Sequence, residues 1–386
     1  MQPNENHSTD HSTDHSTTDL QAHSFPKRGS RIGIIDQHAV QTDRTVTAYS
    51  ATELSDLKNC LKFATKLMVR GEALWSEKAI QWYGVFEASI ERGIQLIVAK
   101  APIEHVMAGL LSDPFNFIKS KLRATDPSES LLVIKDKIEV IKDKIEAKFG
   151  SATIKSLESE SFAQYCKEKV SQESDPAAHQ SYAAFCMAAS LYWGIDRRWG
   201  PNETLPLTQH ASEVGLLLLA AQYSTQTVAA GFLHDAFENY IKMPKDEILR
   251  EFNSKLVGYF TPHEVNRIVA LIEANTEPGK GHCDENWLVR KSEVFNALHR
   301  GDPEMAAVCC ASKISTLAAG NKWKYLGQPI QRWSQGTHAE NMVHFQTLGR
   351  LFEEKGVSTD LIGAFNKQLD LFSKWDQYSP EESLES

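Results

Sequence analysis

The sequence predicts an all-α protein. From residue 51 onward apolar residues recur at three- and four-residue spacing, no segment shows the strict alternation of a half-buried strand, and prolines punctuate the periodic segments. The same reading divides the chain into a disordered tail (1–50), a helical region (51–178), a helical bundle (179–376) and a flexible C-terminus (377–386).

The tail opens MQPNENHSTDHSTDHSTTD, a His-Ser-Thr-Asp repeat with almost nothing apolar to bury. His7, His11 and His15 could hold a metal ion loosely, but the composition reads as an unstructured polar segment. At residue 51 the pattern changes. Leu54, Leu57, Leu61, Ala64 and Leu67 fall on one helical face, with Ser50 to Glu53 as a capping region at its entrance. A second apolar helix covers 81–100, Pro102 permits a third to start at IEHVMAGLL, and Pro114 predicts a break. VIKDKIEVIKDKIE (133–146) repeats a seven-residue unit with Val133, Ile134, Ile138, Val140, Ile141 and Ile145 as an apolar stripe, suited to packing on a neighbouring helix or to a short homodimer seam. Residues 151–178 read as a surface connection containing a helix. Beyond them helices are expected over 179–194, 210–222, 225–240, 244–258, 262–274, 287–299, 303–320, 336–355 and 358–374.

The chain has 386 residues and a formal net charge of −9, which gives no general attraction for nucleic acid or an anionic membrane. Its six cysteines, Cys60, Cys166, Cys186, Cys283, Cys309 and Cys310, form no Cys-x-x-Cys spacing and read as reduced thiols. No secretory signal is visible, and the longest apolar stretch, VGLLLLAAQY, is far short of the ~20 residues a spanning helix needs. A cytoplasmic protein is the expectation.

Chemistry concentrates in VAAGFLHDAFENY (228–240), where an apolar run ends in adjacent His234 and Asp235 followed by Glu238 and Asn239. Upstream, His210 opens an amphipathic helix. A histidine on one helix and a His-Asp pair on the next can converge on a divalent ion, and imidazole with carboxylate suits manganese, iron or zinc. Adjacent helical residues point about 100° apart, so both could reach one ion only over the edge between them. Glu238 and Asn239 would lie one turn on, near a water held by that ion.

These blocks resemble the HD-domain phosphohydrolases, and more narrowly the guanosine tetraphosphate hydrolase domain of RelA/SpoT-type proteins. QTVAAGFLHDAFEN follows that domain's Leu-His-Asp-x-x-Glu-Asp pattern, NTEPGK and DENWLVRKSEVFNAL its Thr-Glu-Pro and arginine-lysine stretches, and EMAAVCCASKISTL the helix carrying its last metal-binding aspartate. The likeness spans roughly 180–375. It implies His210, His234 and Asp235 as metal ligands, manganese as the ion, and Glu238 with Asn239 at the attacking water. Arg197, Arg290, Lys291, Lys313 and Thr316 become the expected substrate contacts, although Arg290 and Lys291 read equally well as a solvated basic face.

The departures are three. Ser312 stands where the family has its last metal-binding aspartate, Asn239 where it has a second acid, and Thr316 where it has an asparagine. A neutral hydroxyl compensates a divalent charge less well than a carboxylate. The resemblance therefore implies either a phosphohydrolase of weakened activity on a guanosine 3′-pyrophosphate or related nucleotide, or a degenerate HD module that binds a nucleotide or partner protein without turnover.

Overall fold

The computed structural model describes residues 49–73, 79–124, 131–158, 175–192, 194–200, 203–238, 241, 243–277, 287–325, 334 and 336–374. The expectations for the terminal tails, for Cys166 and Cys283, and for Asn239 lie outside the described residues. So does the side chain of Arg197.

Helix α1 (Ala51–Ala73) starts where the sequence predicts. Ser50 N donates to Glu53 Oε2 at 2.7 Å and Glu53 N donates back to Ser50 Oγ at 3.3 Å, satisfying donors that a helix start leaves open. Its stripe of Leu54, Leu57, Leu61 and Ala64 is buried. Helix α2 (Ala79–Val98) follows, and then α3 (Ile103–Ala124), which runs straight through Pro114 rather than breaking there. Proline at 114 lacks the N–H that would bond the Leu110 carbonyl. Ser89 of α2 substitutes for it, its hydroxyl donating to Leu110 O at 2.5 Å. Helix α4 (Leu131–Glu158) kinks at Gly150, whose φ of +83° suits glycine. Ile138 and Ile145 of its heptad stripe are buried against the core, whereas Val140 is 50% exposed.

Asp175 caps α5 (Pro176–Leu191) by accepting from Ala177 N at 2.9 Å. A short antiparallel hairpin then intervenes, β1 (Asp196–Gly200) with β2 (Glu203–Pro206), pairing Arg197 with Leu205. Strands of five and four residues are compatible with the absence of convincing alternation in the sequence. The hairpin leads directly into α6 (Leu207–Ala220), and α7 (Thr225–Leu233) follows under a Ser224 cap. The remaining helices are α8 (Lys245–Lys255), α9 (Pro262–Asn275), α10 (Trp287–Arg300), α11 (Pro303–Tyr325), α12 (His338–Glu354) and α13 (Thr359–Ser373). Capping boxes at Thr261/Glu264 and Thr337/Glu340 start α9 and α12. The fold class is all-α, with the hairpin its one sheet among the described residues.

All the described residues fall within one compact unit, Thr47–Ser386. Helix α1 packs on α6 and α13, and α2 on α5 and α6, so one hydrophobic core runs across residue 178. At its centre every residue of α6 is buried. Helices α6 and α7 meet through two glycines. A Cβ on Gly231 would sit 3.4 Å from the Gly215 Cα, and one on Gly215 would sit 2.5 Å from three ring atoms of Phe232. This near contact of backbones sets His210, just over a turn before Gly215, close to His234, a turn beyond Gly231.

Candidate metal centre

Helix α7 stops at Leu233, with His234 as its C-cap. The chain then tightens into a turn in which Ala236 N donates to Leu233 O at 2.8 Å and Glu238 N to Asp235 O at 3.1 Å. The helix expected over 225–240 therefore ends early, and His234 and Asp235 are not neighbours fanned around a regular helix. The i→i+3 turn turns both side chains towards α6.

The result is a buried convergence. His210 Nε2 lies 3.1 Å from His234 Nε2, with Asp235 Oδ2 3.8 Å from the former and Asp235 Oδ1 3.5 Å from the latter. Among the described residues this is the one group of three or more histidine, cysteine and carboxylate ligands gathered within 4.8 Å of one another. Its three members are 3%, 4% and 8% exposed.

The outer ring nitrogens decide the tautomers. His234 Nδ1 faces the Gly231 carbonyl at 2.8 Å, which can only accept, so Nδ1 carries the proton. His210 Nδ1 faces Ser315 Oγ at 2.8 Å, and Ser315 donates its own hydrogen to Glu213 Oε2, so this Nδ1 also donates. Both Nε2 atoms then present lone pairs to the same point, an arrangement that is repulsive without a cation or a proton between them. His210, His234 and Asp235 are therefore the residues that would hold a divalent cation here.

No family model and no curated protein matches the chain.

The other predicted residues whose side chains are described fall into three groups. Glu238 is buried beside it, and its Oε1 accepts from Glu277 N at 3.4 Å. Glu277 in turn gathers the cations expected to meet substrate. Arg290 Nε lies 2.8 Å from Glu277 Oε1, and Lys291 Nζ lies 2.6 Å from Oε2. Burial would raise the Glu277 carboxyl, but Lys291, Arg290 and Lys313 outweigh it and hold it at about 2. Arg290 and Lys291 thus form a carboxylate-bound pair at the edge of the site, not a solvated basic face. His344 shares this corner, its ring 5.8 Å from that of Trp287. Burial first, then Lys313 and Lys291, lower it to about 3.

The third group lies on α11. Ser312 is buried and sits one turn before Ser315, on the same helical face as the residue that touches His210. Thr316 spends its hydroxyl on its own helix, donating to Ser312 O at 2.9 Å. Arg197 is placed by its backbone on β1, in the hairpin that feeds α6.

Sequence reasoning missed Glu213, Ser315, Gln209, Lys58 and Tyr192. Glu213 is 1% exposed and sits three residues after His210, so a carboxylate inside the leucine-rich run HASEVGLLLL was the available signal. Gln209 Nε2 donates to its other oxygen. Burial raises the Glu213 carboxyl, opposed first by Lys58, then by Ser315, Lys62 and Gln209. Lys58, 2% exposed on α1, is itself lowered to about 8 by burial, with Glu213 pulling the other way. Tyr192, 1% exposed, feels the charges of Asp235 and Glu238.

Proposed function

We propose that the chain is a metal-dependent phosphohydrolase of HD type, of weakened activity, acting on a guanosine 3′-pyrophosphate or a related nucleotide. The observation that carries this reading is the pair of Nε2 atoms directed at one point beside the Asp235 carboxylate. A divalent ion held there would polarise a phosphoryl oxygen and lower the pKa of a bound water.

The chain's own residues divide the remaining work. His210, His234 and Asp235 hold the ion, and burial keeps bulk water from competing with them. Glu238, positioned by its turn and by Glu277 N, takes the proton of the attacking water. Arg290 and Lys291 bind the phosphate groups once Glu277 shares or yields them, and Lys313 adds positive potential.

One feature favours the alternative of an HD module that binds without turnover. Ser312 offers a neutral oxygen on the helix face where a carboxylate would complete the charge balance. The deciding experiment measures bound manganese and pyrophosphate release from guanosine tetraphosphate for the wild type, Ser312→Asp and His234→Ala. The expected outcome is weak wild-type turnover, tighter manganese binding in Ser312→Asp and loss of both in His234→Ala. Wild-type turnover that survives His234→Ala would exclude this site as the catalyst. Metal binding without turnover, even in Ser312→Asp, would establish the binding module.

A further inference from the structure

Behind His210 runs a continuous line of hydrogen bonds that no catalytic role accounts for. His210 Nδ1 meets Ser315 Oγ at 2.8 Å, Ser315 donates to Glu213 Oε2, and Gln209 donates to Glu213 Oε1. Both oxygens of Glu213 accept, from Gln209 and from Ser315, which favours its charged form against the burial that raises its carboxyl. All four residues are at most 3% exposed, so water does not screen the line. The charge of Lys58, on α1, favours the ionised form of this carboxylate.

We propose that Glu213 is a positioning residue that acts on the metal centre through Ser315, holding His210 as its Nδ1–H tautomer and making its Nε2 a stronger donor. The inference rests on the metal-centre reading given above. Its physical basis is general: a histidine ligand that donates its other N–H towards a carboxylate is fixed in orientation and gains basicity. Here a serine hydroxyl relays the carboxylate's effect. The negative charge that Ser312 does not supply in direct contact with an ion is supplied one layer further out, on the opposite side of His210 from Asp235. Lys58, buried on α1, adds a positive potential that favours that charge.

The test combines two readouts on the full chain, the tautomer of His210 from long-range proton–nitrogen spectra of the imidazoles without metal, and manganese affinity by titration. In the wild type His210 should be the Nδ1–H tautomer. Ser315→Ala should lose that preference, and both Ser315→Ala and Glu213→Gln should bind manganese about 10- to 100-fold more weakly. Glu213→Asp should recover part of the loss, which a merely structural role would not do. If Glu213→Gln leaves Lys58 unbalanced and the protein fails to fold, the Lys58→Met/Glu213→Gln pair keeps the core neutral and should show the same loss. Wild-type affinity in Ser315→Ala and in the folded Glu213 variant would overturn the relay while leaving the metal centre intact. No manganese binding by either wild type or Ser312→Asp would instead remove the metal centre, and the relay with it.

Discussion

Replacing Gly215 by alanine tests how the fold builds the centre. The added Cβ would lie 2.5 Å from Cγ, Cδ1 and Cε1 of Phe232, where carbon contacts settle near ~3.5–4.0 Å. About 1 Å of movement is therefore required. Phe232 cannot readily supply it, since its ring is fully buried and meets Phe185 edge-on at 6.0 Å. The helices must part. Overpacking of this kind costs about 1–3 kcal/mol, and contact with three ring atoms puts it near the top of that range. Alanine returns about 1 kcal/mol as a better helix former, leaving a net loss of about 2 kcal/mol. The same displacement would open the 3.1 Å His210–His234 separation towards the limit at which two nitrogens can share an ion, so manganese affinity should fall at least tenfold. Urea denaturation and manganese titration read the two effects, and Gly215→Ala/Phe232→Leu should recover affinity by making room. An alanine variant as stable as the wild type and with unchanged affinity would refute the claim that the glycine crossing sets the histidine pair.

Acidification should destabilise the fold through His344 before it does so through Glu277. The His344 pKa is lowered to about 3, so the unfolded chain binds the extra proton as pH falls below about 6.5, and stability drops by up to about 2 kcal/mol between pH 6.5 and 5. Glu277, held at about 2, contributes stability that is intact above its ordinary 4.5 and is lost only as pH falls from there towards 2. His344→Gln should therefore flatten the urea midpoint between pH 7 and 5, and an unchanged slope would contradict the assignment. Ser89→Ala should cost about 1–3 kcal/mol by leaving the Leu110 carbonyl without a donor, and Ser89→Ala/Pro114→Ala should restore most of it through the new Ala N–H. Urea midpoints of the two variants check this, with no rescue as the refuting result. Manganese at 100 times its dissociation constant should stabilise the wild type by about 2.7 kcal/mol and a chelator should reverse it, while His234→Ala should show neither effect by thermal denaturation.

The division between sequence and structure follows the range of the forces involved. Helical periodicity is local, so the stripe of Leu54, Leu57, Leu61 and Ala64, the Ser50/Glu53 cap and the all-α class could be read directly, and the sequence also named His210, His234 and Asp235, whose side chains converge in the fold. Among the described residues no helix is long and apolar enough to cross a membrane, in keeping with the short apolar runs of the sequence. Local rules failed elsewhere. Ser89 replaces the bond that Pro114 cannot make, and the turn after Leu233 cuts short a helix whose apolar pattern continues. The environment of the centre was beyond local reading altogether, because Lys58, Glu213, Gln209 and Ser315 come from three helices and acquire their effect only when burial removes the water that would otherwise screen them. Residue types are written in the chain; the tautomers, the 3.1 Å approach of two imidazoles and the charge behind them arise only when the glycines let α6 and α7 touch and α11 closes over them.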